Sequence, residues 1–181
     1  VKQNNTLLNY IKTMVFDGIN FNLTEEHLAV QEAARDFAQN ELLPGIVERD
    51  NEQKFDPKLL KRMGELGFLG MMVSPEYGGG GMDTVSYVIA MEELSKVDAS
   101  ASVMVSVNNS LVCYGLEAYG TEEQKRKYLA PLASGEIIGA FCLSEPEAGS
   151  DATSQHTTAE DKGDYYLVNG TKNWITNGNS S

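Results

Sequence analysis

Long apolar runs are missing from this 181-residue chain. None approaches the roughly 18 residues of a membrane-spanning helix, so no membrane association is expected. Basic residues are scarce: fourteen Lys and Arg face 26 Asp and Glu, a formal net charge of −12. A nucleic-acid or anionic-membrane surface needs clustered Lys and Arg and is therefore not expected. Cysteine is limited to Cys113 and Cys142, too few for a disulfide scaffold, and both read as reduced thiols in a cytosol-like compartment. His27 and His156 are the only histidines. Neither stands at metal-ligand spacing to the other or to a cysteine, so no metal is expected and surface or capping roles are. The first 20 residues hold two Lys and no Arg, with no apolar stretch leading to a small-residue cleavage site. That fits neither a secretory signal nor an Arg-rich transit peptide.

What is there is ordinary globular composition, 41 % hydrophobic and 22 % charged. Residues 1–20 are weakly patterned and stay unassigned. Thr24 opens a helix whose apolar face is Val30, Ala33, Ala34, Phe37 and Ala38. Pro44 should end or kink it. Asp56-Pro57 is an N-cap and first-turn pair, Leu59, Met63 and Leu66 repeat along one face, and Gly67 stops that helix. Gly78 to Gly81 read as a loop that lets backbone segments pass closely, since no Lys-Ser/Thr follows as a phosphate loop requires. Residues 84–97 are apolar nearly all round and should form a buried helix. Thr121 with Gln124 is a capping box, introducing a helix expected to end before Pro131. Val103, Val105 and Val107 alternate at strand spacing, yet a lone strand among helices would lack a partner, so 101–112 is taken as helix. The pairs Glu25-Glu26, Glu92-Glu93 and Glu122-Glu123 read as solvated helix faces and first turns.

The pattern changes after Gly135. Ile137 to Leu143 reads as a short buried strand. Tyr165 to Val168, then Asn169-Gly170, then Thr171 to Thr176 predicts a hairpin with a type I′ turn. Helices first and strands second give an α+β chain: an all-α domain over 21–134, then the start of a β domain over 135–181. The chain opens on Val1 and stops just after a strand pattern, so a fragment is expected.

The segment Phe141-Cys142-Leu143-Ser144-Glu145-Pro146-Glu147-Ala148-Gly149-Ser150-Asp151 is the candidate for chemistry. A strand breaks into a turn rich in hydroxyls and small residues, and such a turn can hold an anionic or polar cofactor. An ordinary Pro-Gly turn is the competing reading. Trp174, the sole tryptophan, ends the hairpin pattern and by itself could be a core anchor.

Taken together, these segments resemble one family. Cys142-Leu143-Ser144-Glu145-Pro146-Glu147-Ala148-Gly149-Ser150-Asp151-Ala152-Thr153-Ser154 resembles the first signature of the acyl-CoA dehydrogenases at every defined position. Asn169-Gly170-Thr171-Lys172-Asn173-Trp174-Ile175-Thr176-Asn177 is similar to that family's flavin-contacting strand. Pro75-Glu76-Tyr77-Gly78-Gly79, Glu92-Glu93-Leu94 and Gly120 to Lys125 also look familial, so the resemblance runs from about Phe21 to Asn179. Ser106 to Leu111 further resembles the short-chain (butyryl-CoA) members.

The resemblance implies an N-terminal helical domain, a β-barrel-like middle domain and a C-terminal helical bundle, here truncated. It implies FAD, a fatty acyl-CoA substrate, an electron-transfer flavoprotein as acceptor, a homotetramer, and a step of fatty-acid β-oxidation. The expected compartment is the cytoplasm, or the mitochondrial matrix in a eukaryote. It also implies roles for cofactor-binding residues. Ser144 should hydrogen-bond the flavin ring, Thr176 should reach its reacting edge, and Trp174 and Ile175 should lie at the ring. Phe141 and Leu143 should shape the strand that meets it. Gly149 and Ser150 should lie where the cofactor phosphate and the CoA chain pass, which makes Ser150 a substrate residue too. The family's catalytic glutamate lies downstream of residue 181, so no catalytic residue is assigned. An acyl-CoA oxidase-like flavoprotein and a non-catalytic helical interaction module remain alternatives. The 181-residue chain alone is expected to hold FAD weakly and not to turn over substrate. Stoichiometric FAD with acyl-CoA-dependent bleaching in this chain would overturn that expectation.

Overall fold

The computed structural model describes residues 22–179; the unassigned residues 1–20 lie outside that range. Helix α1 (Glu25–Phe37) opens with the capping box Thr24–His27, in which the His27 ring accepts the Thr24 N–H while the Thr24 hydroxyl accepts the His27 N–H. A π-helical turn over Ala38–Leu42 extends it, and the helix ends at Leu43, before Pro44. Helix α2 (Ile46–Glu52) follows, and its Arg49 donates to the carbonyls of Leu42 and Pro44 and to the Asp98 carboxylate. Helix α3 (Pro57–Glu65) starts on the Asp56 cap with Pro57 at its first position and stops at Gly67, φ 80°. Helix α4 (Thr84–Ser95), helix α5 (Ala99–Ser106), a second π-helical stretch (Val107–Cys113) and helix α6 (Tyr114–Tyr119) come next. Helix α7 (Glu122–Ser134) completes the helical part behind the Thr121–Gln124 capping box.

Helix α4 lies between α1 and α5. The core joins Phe37 and Leu42 to Met63, Phe68, Leu69, Leu94 and Val105, with the Phe37 and Phe68 rings 5.6 Å apart. Val73, Cys113, Leu129 and Leu132 form a second cluster beneath α7. Burial pushes the Cys113 thiol up to about 12, as expected of an inert core cysteine, while Cys142 is exposed. The glycine run bonds along the backbone of 70–73, through Gly80 N to Gly70 O, Gly81 N to Val73 O and Met82 N to Met71 O. A Cβ at Gly79 would sit 2.2 Å from the Val73 carbonyl, so this contact requires glycine.

The deepest polar groups are two amides on the second π-helical stretch, Asn108 at 0 % and Asn109 at 1 % exposure. Asn109 accepts from Met71 N at 2.8 Å and donates to Phe68 O at 2.7 Å and Val105 O at 3.0 Å. Asn108 donates to Leu69 O at 2.8 Å and Leu132 O at 3.1 Å, and accepts from Gly139 N at 3.1 Å. They satisfy backbone groups of the 68–71 turn and of Gly139 and add to the ends of two helices.

Several expectations need correction. Helix α7 runs through Pro131 to Ser134, because Leu129, Leu132 and Ala133 are buried and packing outweighs one missing N–H. Helix α4 is not buried all round: Val85 and Val88 are exposed, on a face the neighbouring helices leave open. Ala33 is exposed rather than on the apolar face of α1. Glu93 is not solvated; its carboxylate is 4 % exposed and pairs with Arg35 of α1 at 3.0 Å and with Lys96 at 3.1 Å. Residues 137–143 form no strand, and Phe141, Cys142 and Leu143 are exposed. Asn169-Gly170 is not a hairpin turn. The hairpin pairs β1 (Thr158–Asp161) with β2 (Tyr166–Asn169), antiparallel, with Thr158 opposite Asn169 and Asp161 opposite Tyr166. Its turn is at 162–165, where Gly163 has φ 90° and bonds Asp161 Oδ1. Strand β1 escaped notice because it is exposed on both faces and so carries no alternation.

Replacing Asn109 by Leu strands three buried backbone partners. We expect a loss of about 2–4 kcal/mol from the urea midpoint at unchanged slope. A loss below about 0.5 kcal/mol would show that water replaces the amide there.

Candidate functional site

Two segments distant in sequence meet beside the helical part. Residues 139–145 run antiparallel to 172–177 and are tied at both ends. Asn177 Nδ2 donates to Gly139 O at 3.0 Å, and Asn173 N donates to Ser144 O at 2.8 Å. Phe141, Leu143 and Ser144 lie on one segment, and Trp174, Ile175 and Thr176 on the other, so the structure brings these predicted residues together. Phe141 and Leu143 are exposed, and Trp174 is 93 % exposed. The hydroxyls of Ser144 and Thr176 form no hydrogen bond with the described residues.

Trp174 has φ 60°, a left-handed conformation that is uncommon for a bulky side chain and costs roughly 1–3 kcal/mol. Neighbouring bonds hold it there: Asn173 N to Ser144 O before it, and the turn bond Gly178 N to Ile175 O at 3.1 Å after it. The chain thus keeps a large aromatic ring in solvent at a strained position, which no packing requirement of the described residues explains.

Gly149 and Ser150 lie beyond this pair of segments, past the tight turn closed by Glu145 N to Ala148 O at 3.0 Å and Ala148 N to Glu145 O at 3.2 Å. Both are exposed, and a Cβ at Gly149 would meet nothing within 4 Å. Asp151 then accepts from the hydroxyls of Ser154 and Thr153, which lower its pKa and shape the 3₁₀ turn Ala152–Ser154. A cavity of about 250 Å³ lies behind the turn, between Glu145, His156, Thr157 and Gly170, and none of the predicted cofactor residues lines it.

Glu145 joins the pieces. Its carboxylate, 4 % exposed, accepts from Lys172 Nζ at 2.8 Å, His156 N at 2.6 Å and Thr157 N at 3.1 Å. Lys172 Nζ also reaches Leu143 O at 3.1 Å, and Gln155 Nε2 reaches the same carbonyl at 2.9 Å. The Lys172 bond first, then Thr157 and His156, hold the Glu145 carboxyl down at about 2. A carboxylate so held is a poor general base near neutral pH.

Sequence reasoning missed Lys172, Asn173 and Asn177 as parts of the site. The one signal was a lone lysine two residues before an aromatic and β-branched run. The whole arrangement suits a flat conjugated ligand with polar edges: an aromatic ring and two apolar side chains offer faces, and two unpaired hydroxyls offer hydrogen bonds. Among the described residues no group of His, Cys, Asp and Glu is placed to hold a metal ion, and no helix is long and apolar enough to cross a membrane.

Because the folded state favours the ionised carboxyl, the contribution of Glu145 is complete above its ordinary value of 4.5 and is lost as pH falls toward about 2. Trp174 is the sole tryptophan and reports on this site. Its emission should change across that window, and Glu145→Gln should remove this pH-dependent change while altering the emission at pH 7. Identical titrations of the two proteins would show that Glu145 does not hold the site.

Residues 24–136 match the family description "Acyl-CoA dehydrogenase, N-terminal domain" and residues 140–181 match "Acyl-CoA dehydrogenase, middle domain". The chain is 48 % identical over 160 residues to the short-chain specific acyl-CoA dehydrogenase of Clostridium acetobutylicum, covering 88 % of this chain and 42 % of that protein. It superimposes with a TM-score of 0.87, at 49 % identity, on a chain of a structure described as the electron transferring flavoprotein of Acidaminococcus fermentans, covering 90 % of this chain and 43 % of the other. It superimposes with a TM-score of 0.82, at 38 % identity, on the Bacillus anthracis acyl-CoA dehydrogenase complexed with FAD, covering 88 % and 28 %. The chain thus spans well under half the length of these relatives.

Proposed function

The chain belongs to the acyl-CoA dehydrogenase family, and from that premise we propose that it is part of an FAD-dependent dehydrogenase of short-chain fatty acyl-CoA thioesters. The reaction removes a proton from the α carbon and a hydride from the β carbon, giving the trans-2-enoyl-CoA. Electrons then pass to an electron-transfer flavoprotein. The likeness to a short-chain specific dehydrogenase supports the substrate, and the likeness to a chain of an electron transferring flavoprotein structure supports the acceptor. We further propose the division into a helical domain over 21–134 and the start of the middle domain over 135–181, a homotetramer for the complete protein, and the cytoplasm or a mitochondrial matrix as its compartment.

One observation carries the reading: the two signature segments lie side by side and leave Trp174, Phe141 and Leu143 in solvent next to the unpaired hydroxyls of Ser144 and Thr176. FAD supplies, when bound, the two-electron acceptor for the hydride. The Ser144 carbonyl is already taken by Asn173 N, so the hydroxyl is what it offers to the ring. Thr176 offers its hydroxyl from the facing segment, toward the reacting edge. Trp174 and Ile175 would shield the ring from water, and Phe141 and Leu143 would shape the segment that meets the ring. The open backbone at Gly149 and the hydroxyl of Ser150 accommodate phosphate and the CoA chain. No described residue serves as the base for the α proton.

The test is the visible spectrum of the full-length protein with and without butyryl-CoA. Flavin bands that bleach on addition are expected. Bands that do not bleach would overturn the substrate, and absence of flavin would overturn the cofactor. Trp174→Ala should raise the Kd for FAD about tenfold, since one aromatic contact contributes roughly 1–1.5 kcal/mol. An unchanged Kd would remove Trp174 from the ring contact.

A further inference from the structure

We propose that the Glu145–Lys172 pair, with Glu145 buried and Lys172 half-buried, positions the flavin: it sets the distance between the segment carrying Phe141–Ser144 and the loop carrying Trp174–Thr176. The inference rests on the cofactor reading above. Glu145 follows Ser144 directly, and Lys172 lies two residues before Trp174, so each charge sits at the root of one cofactor-contacting segment. Lys172 Nζ spans Glu145 Oε1 at 2.8 Å and Leu143 O at 3.1 Å, gripping the first segment on both sides of Ser144.

The remaining acceptor capacity of Glu145 goes to His156 N and Thr157 N. Thr157 in turn abuts Gly170, where a Cβ would come within 2.1 Å of Thr157 Oγ1, so only glycine lets β2 leave the hairpin toward Lys172 this way. Contacts thus close a ring, from Leu143 through Glu145 and Thr157 to Gly170 and back by Lys172. A buried ion pair adds little net stability over an apolar pair of equal volume, because desolvation offsets the attraction. What it adds is direction. The ammonium donates to two acceptors at fixed places, which an apolar side chain cannot do. The strained Trp174 backbone needs surroundings that determine its geometry this fully.

The test uses the full-length protein and FAD, with Glu145→Gln, Lys172→Met, their double variant and Lys172→Arg. Glu145→Gln and Lys172→Met should each raise the Kd for FAD by about tenfold or more and shift the visible flavin bands. The double variant should lose no more than the worse single one, Lys172→Arg should recover most of the loss, and the thermal transition of the helices should hardly move. Kd values within about twofold of wild type with unchanged bands would overturn the inference. So would weaker binding that follows the loss of helical structure and is not recovered by Lys172→Arg. A wild-type protein that takes up no FAD overturns the cofactor reading itself, and the inference with it.

Discussion

The structure turns on two neighbouring amides with almost no access to water. Asn108 and Asn109 sit where the helix widens into a π-helical stretch, which turns successive side chains into the core. Their donors and acceptors meet the backbone of the turn at 68–71, the last turn of α7 and the N–H of Gly139. A buried amide left unpaired is costly, so these bonds specify how the 68–71 turn, the end of α7 and Gly139 sit against one helix. Within Ser106–Leu111, the two asparagines thus tie the core together.

The same constraint reaches the site. The Gly139 peptide is held on both sides by asparagines, its N–H by Asn108 from the helices and its carbonyl by Asn177 from the segment 172–177. One residue of extended chain thus links the hydrophobic core to the strained loop that carries Trp174. Cations are few, and several are placed at joints. Arg35 meets the buried Glu93 between α1 and α4, Arg49 closes the chain at Leu42 and Pro44, and Lys172 closes the turn at Glu145. Exposed pairs such as Arg126 with Glu122 contribute little by comparison.

Local signals were legible wherever the controlling interaction spans a few residues. One of the two capping boxes was visible as a residue pair: Thr121–Gln124 was read directly, whereas the Thr24 box uses His27, a residue outside the usual Glu or Gln. Asp56-Pro57 and the glycine run behaved as read. The signals failed where a distant partner decided. Pro131 stays in a helix because its neighbours are buried, Glu93 is buried because Arg35 arrives from another helix, and Asn169-Gly170 makes no turn because Thr158–Asp161 claims β2 from the other side.

By itself the sequence determined the starts of α1, α3, α4 and α7 and the two short signatures that carry the family. Those depend on residue type and spacing within a dozen positions, and that information is local. Tertiary structure alone decided that 137–143 forms no strand and leaves Phe141 to Leu143 exposed, that Trp174 stands in solvent at positive φ, and that Glu145 is a clamp held near pKa 2 by Lys172 and two backbone N–H groups. Each of these rests on partners roughly 10 to 40 residues away, and no pattern along the chain records which donor will meet which acceptor once the core has closed.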